Sequence, residues 1–166
     1  MLGIGFLLIT ALSIWLFYQA TGRSSRFLII AVLWSIGLSV LAAQGFFLQT
    51  ASIPPRILLA VLPALAYVAY AVSKQDLTRI SPAYLIGIHI LRVPVELTLY
   101  ALFVAALIPE IMTFSGWNFD ILVGFSAILI LAYQWRKGRL PGRNWLITWN
   151  GLGLGFLLTI VGISIL

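Results

Sequence analysis

His89, Arg92 and Glu96 are the residues of this chain whose types and spacing could do chemistry. They stand in the string GIHILRVPVELTLY, inside a long apolar run. Offsets of three, four and seven residues put all three on one face of a helix. Tyr100, four residues past Glu96, continues that stripe. A carboxylate, a guanidinium and an imidazole on one face could bind and release a proton, hold an anionic solute, or act as an acid–base pair beside a phosphate. The plainer reading is structural: Arg92 and Glu96 neutralise each other, His89 donates to a neighbouring helix, and the group fixes packing.

The setting gives these charges their weight. Of 166 residues, 62% are hydrophobic and 8% charged, against roughly half and about a quarter in an ordinary soluble domain. A small water-soluble fold could not hide so much apolar surface. Lipid is the expected solvent. At mid-bilayer a lipid-facing charge costs about 2.5–3.5 kcal/mol or more, so the His89–Glu96 face must turn toward protein or a water-filled cavity. With 1.5 Å per residue, Glu96 falls about 20 Å from the start of its run, near mid-bilayer, and Arg92 about 6 Å closer to that start. Pro94 lies between them and leaves the carbonyl of Ile90 without its helical donor, which predicts a kink or local opening.

A spanning helix needs about 20 apolar residues. Six stretches qualify or nearly so: Leu2–Ala20, Phe27–Thr50, Ile57–Ser73, Ala83–Ile108, Phe119–Trp135 and Asn144–Leu166. They are continuously apolar, without the period-two alternation of a membrane β-barrel. Short connectors rich in Pro, Gly and Ser separate them, so the expected fold is all-α: a single polytopic transmembrane helix bundle of about six spans, running up and down. No basic region precedes the first stretch, which is therefore read as a retained helix rather than a cleaved signal. The last stretch ends at ISIL without a polar anchor, which leaves room for a further helix beyond it.

Arg23, Arg26, Lys74, Arg79, Arg136, Lys137, Arg139 and Arg143 fall in the first, third and fifth connectors; Arg56 alone falls in the second and none in the fourth. Eight against one predicts cytoplasmic odd-numbered connectors and, with six spans, both termini outside. The net charge of +6 is thereby assigned to membrane lipids and topology rather than to nucleic acid. Trp15, Tyr18, Trp117, Tyr133, Trp135, Trp145 and Trp149 fall near the ends of stretches, where headgroup-level rings are expected; Trp34 and Trp149 also suit packing between helices.

Polar residues on other spans are the expected partners of the cluster. Ser35, Ser39 and Gln44 lie on the second stretch, Thr148 and Asn150 on the sixth. Asn150 matches the depth of His89, and a hydrogen bond between them is predicted. Gly151 and Gly155 stand at GxxxG spacing, which predicts a close helix crossing within the bundle or between copies of the chain in a homo-oligomer. Glu110, Ser115, Asn118 and Asp120 crowd the fourth connector. Asn118 suits a helix cap and Asp120 the positive end of the following helix, while an external gate or binding loop is the functional alternative.

The stretch from His89 to Ala127, HILRVPVELTLY followed by IPEIMTFSGWNFDILVGFSA, resembles unannotated multi-pass inner-membrane proteins of bacteria. It covers about a quarter of the chain. The resemblance implies a bacterial inner membrane and carries no activity with it.

Several chemistries are excluded. No cysteine is present, which rules out disulfides, thiolate metal sites and cysteine nucleophiles. One histidine and few carboxylates make no metal site and cannot hold a bis-histidine haem, so no cofactor is expected. Lys74 and Lys137 lie at span ends, away from a retinal-type Schiff base. Asp76 and Asp120 lie in or beside connectors, unlike an intramembrane aspartyl pair. No serine has a nucleophile-elbow setting, and one arginine on a span is no voltage sensor. Three readings remain, in this order: a small transporter or channel-like protein, a structural or assembly component, and a membrane-embedded lipid-modifying enzyme.

Overall fold

A computed structural model describes residues 2–49, 52–74 and 80–165. Asp76 and Arg79, which entered the sequence argument, lie outside them. Described residues form helices and connectors with no strand. The α-helices are α1 (Leu2–Ala20), α2 (Ser25–Ala43), α3 (Leu58–Lys74), α4 (Pro82–Ile90), α5 (Arg92–Val104), α6 (Asp120–Lys137) and α7 (Arg143–Ile165). Short 3-10 turns occupy Phe46–Leu48 and Glu110–Met112.

Among the described residues, four helical segments are long and apolar enough to cross a membrane: Gly3–Ala20, Ser25–Ala43, Pro82–Val104 and Arg143–Ile163. The third combines α4 and α5. The apolar α3 is 17 residues long, and α6 carries Asp120, Arg136 and Lys137 at its ends. Large apolar side chains cover the outside, among them Leu129 at 70% exposure and Leu7 at 65%. Such an exterior suits lipid rather than water.

The chain divides into two compact units, one of Met1–Ala20 with Pro82–Leu166 and the other of Thr21–Ser81. In the smaller unit, Ser24 caps α2 by accepting from the Phe27 N–H at 3.4 Å. That helix stops at Ala43, seven residues before the end of the Phe27–Thr50 stretch expected from hydropathy. Gly45 follows in the left-handed conformation, where a Cβ would be costly, and reverses the chain. Arg56 donates to the Phe46 carbonyl at 2.9 Å, bonds the Gln49 side chain, and lies over the Phe46 ring. Phe27 stacks on Tyr67, joining α2 to α3.

In the larger unit the broken helix α4–α5 lies between α1 and α6, and α7 packs on α6. The core is Ile86, Val123, Ala127, Ile130 and Trp149. Ile86 and Gly87 on α4 meet α6 positions spaced three and four apart, the stripe that a core-facing helix requires. Gly124 makes the closest crossing: a Cβ there would sit 2.6 Å from Val93 Cγ2 and 3.1 Å from the Val93 nitrogen.

The sequence-based expectation of a GxxxG crossing on the sixth stretch needs correction within the unit. A Cβ on Gly151 or Gly155 would meet nothing within 4 Å, whereas one on Gly153 would come within 3.3 Å of Val123. The glycine between the pair faces the neighbouring helix, because α7 turns the GxxxG face away from α6.

Candidate functional site

The break between α4 and α5 creates the site. Pro94 cannot donate to Ile90, and the helix responds one turn earlier. Leu91 closes α4 through a tight N–H bond to Ile88 at 3.0 Å, and its own carbonyl accepts from Val95 at 3.2 Å. The two segments present His89, Arg92 and Glu96 on one side, as their spacing requires.

Those three residues do not pair with one another as expected. Arg92 turns to α6 and donates to Asp120 Oδ1 at 2.5 Å. A longer contact reaches the Gly153 carbonyl on α7 at 3.4 Å. Glu96 is buried at 2% exposure and accepts at Oε1 from the Asn118 amide at 2.7 Å. The predicted Arg92–Glu96 neutralisation is therefore replaced by Arg92–Asp120 and Asn118–Glu96. A guanidinium reaches far enough to choose a carboxylate on the next helix over one on its own.

Asn118 uses its whole amide. Nδ2 donates to Glu96 and, at 3.2 Å, to the Met112 carbonyl, while Oδ1 accepts from the Asp120 N–H at 3.1 Å. This last bond satisfies an orphan donor at the start of α6, as the capping expectation required, although Phe119 occupies the cap position itself. Asp120 then lies in the first turn, where a negative charge complements the helix dipole. The connector leading to Asn118 is folded onto itself. Thr113, fully buried, donates to the Glu110 carbonyl at 2.8 Å, and the Trp117 N–H reaches Ile111 at 3.1 Å. Gly116 permits that closure: a Cβ would lie 2.5 Å from the Glu110 oxygen.

His89 meets an aromatic ring rather than Asn150. Its imidazole stands edge-on to Trp149, centroids 4.9 Å apart. Trp149 is held in turn by donation from Nε1 to Ser126 Oγ at 2.8 Å. Asn150 donates to Leu146 of its own helix at 2.9 Å, so the predicted His89–Asn150 bond gives way to local satisfaction. Asn150 and His89 nevertheless line the same cavity. Tyr100 leaves the cluster and stacks on Phe114 of the connector at 4.9 Å. Gln44 belongs to the smaller unit, where its backbone N–H closes α2 on Val40.

His89, Arg92, Glu96, Asp120 and Asn150 border a cavity of about 470 Å³. Its polar lining is Ser13 of α1, His89, Arg92, Glu96, Asp120 and Asn150; leucine, isoleucine, valine and phenylalanine complete the wall. Ligand pockets fall in this size range, with a few polar groups in an apolar wall. Glu96 Oε2 is buried and has no hydrogen-bond partner among the described residues. Those residues also contain no group of three His, Cys, Asp or Glu able to hold a metal ion.

No family model, curated protein or solved structure matches this chain. Function must be argued from the cavity itself. Asp120 and Asn118 are the site residues that sequence reasoning did not assign to it. A signal existed: only four carboxylates are present, and a buried arginine needs one of them.

Proposed function

We propose that this chain is a six-span inner-membrane protein of the bacterial type acting as a small transporter or channel-like protein, with the His89–Arg92–Glu96–Asp120 cavity as its polar pathway. At 1.5 Å per residue, α3 and α6 are each about 26 Å long, close to the roughly 30 Å hydrocarbon core. Counting them as spans puts the odd connectors in the cytoplasm by their basic charge. The observation that carries the functional reading is a roomy cavity lined by ionisable groups in a bundle with an apolar exterior. Intramembrane charges facing a cavity mark ion or substrate pathways, and Pro94 beside them cannot donate to the Ile90 carbonyl, a helix interruption of the kind that accompanies ion sites in transporters.

The test is flux in proteoliposomes loaded with pH- and anion-sensitive dyes under an imposed potential. Glu96→Gln and Arg92→Gln are each expected to lower flux at least tenfold. Wild-type flux in both variants removes the cavity from any pathway.

A structural role is the second reading. Arg92 links three helices through Asp120 and the Gly153 carbonyl, and buried ion pairs can specify packing without further chemistry.

A further inference from the structure

We propose that Glu96 is a proton-binding site, that the ion taken up from the cavity is therefore H⁺, and that Asn118 positions the carboxyl that receives it. The inference rests on the pathway reading and names the ion. Glu96 lines the cavity yet is 2% exposed. One oxygen accepts the Asn118 amide; the other is buried without a partner among the described residues. An ionised carboxylate left with a bare oxygen in such surroundings bears a large desolvation cost, which a bound proton removes.

The neighbours do not supply that compensation. Arg92 is engaged by Asp120, so the cavity carries one paired cation and one further carboxylate. The charged or titratable groups lining it are His89 on α4, Arg92 and Glu96 on α5, and Asp120 on α6; α1 and α7 contribute the neutral Ser13 and Asn150. With the Arg92–Asp120 charges cancelling, an ionised Glu96 leaves one uncompensated negative charge, which favours a cation over an anionic solute.

Size and ligand chemistry select the proton. A metal cation needs several oxygens at about 2.0–2.6 Å, and no grouping of carboxylates and imidazole meets that need among the described residues. Glu96 Oε2 is shut off from solvent, so an organic cation has no direct approach to it. When the packing over Oε2 opens enough to admit one water-sized donor, a hydronium breaks one of its O–H bonds, a new O–H bond forms at Oε2, and the donor leaves as water; release to water reverses the step. Asn118 matters because its second N–H and its carbonyl are anchored at Met112 and Asp120. It holds the carboxyl in one orientation instead of following it.

Infrared difference spectra of the full chain in lipid, taken between acidic and alkaline buffer, test the site without requiring transport. The expected spectrum has a protonated-carboxyl stretch that disappears in alkali. Glu96→Gln should abolish it, Glu110→Gln should leave it, and Asn118→Ala should shift its frequency by removing the donor to Oε1. The Asn118→Ala arm preserves the carboxyl and serves if Glu96→Gln fails to fold. A band equally strong in Glu96→Gln, unmoved in Asn118→Ala, or absent from wild type overturns the proposal. A titrating Glu96 band in a protein without flux keeps the proton site and ends the pathway reading; Glu96-dependent flux of another ion without the band does the reverse.

Discussion

At the scale of residues, Arg92 and Asp120 are the pair on which the site's geometry turns. The guanidinium joins α5 to the first turn of α6, and both side chains are largely buried, 20% and 10% exposed. Removing one partner strands the other in an apolar wall, at a cost of about 3–5 kcal/mol, whereas replacing both with apolar residues of similar volume can be neutral or better. Asp120→Asn and Arg92→Leu are thus each expected to lower the unfolding temperature sharply in a detergent melt, and Arg92→Leu/Asp120→Leu to recover most of it. Equal losses in the double and single variants would show that the pair does not couple. The three charges on one face were legible from spacing alone. Their partners were not, because an i,i+4 neighbour such as Glu96 is the local choice, whereas a tertiary fold brought Asp120 from 28 positions away. Asn118 was read as a helix-start residue and does serve that start. Its second duty, to Glu96, depends on how the connector folds back, which no local pattern encodes.

At the scale of elements, α1, α3, α6 and α7 follow hydropathy and Pro/Gly punctuation to within two residues, α2 and α5 stop earlier than their apolar stretches, at Ala43 and Val104, and Pro94 announced the break that separates α4 from α5. Which glycines let helices approach was harder to read. Spacing alone favoured Gly151 and Gly155, yet the tight crossings occur at Gly124 and Gly153. GxxxG spacing reports a small face but not the direction it turns. The two sets should respond oppositely to alanine. Gly124→Ala places a methyl against Val93 and should destabilise by about 1–3 kcal/mol. Gly151→Ala meets open space and should stabilise α7 by up to about 1 kcal/mol through helix propensity. Thermal melts of both variants check the contrast. If Gly151→Ala is instead the more damaging and also lowers the oligomer mass in detergent, that face belongs to an interface between copies of the chain.

At the scale of the whole molecule, the account depends on a distinction between two kinds of surface: an apolar exterior facing lipid and a polar-lined cavity holding water. The absence of cysteine makes this directly measurable by single-cysteine labelling in intact proteoliposomes. Ser13 lines the cavity beside Glu96 and Arg92, while Leu129 is 70% exposed on the apolar exterior of α6. A thiolate forms and reacts only where water reaches it. With a charged, membrane-impermeant thiol reagent, Ser13→Cys should be modified and Leu129→Cys should stay unmodified until detergent is added. Protection of Ser13→Cys to the same degree as Leu129→Cys would contradict the hydrated cavity, and the pathway and proton site would fall with it.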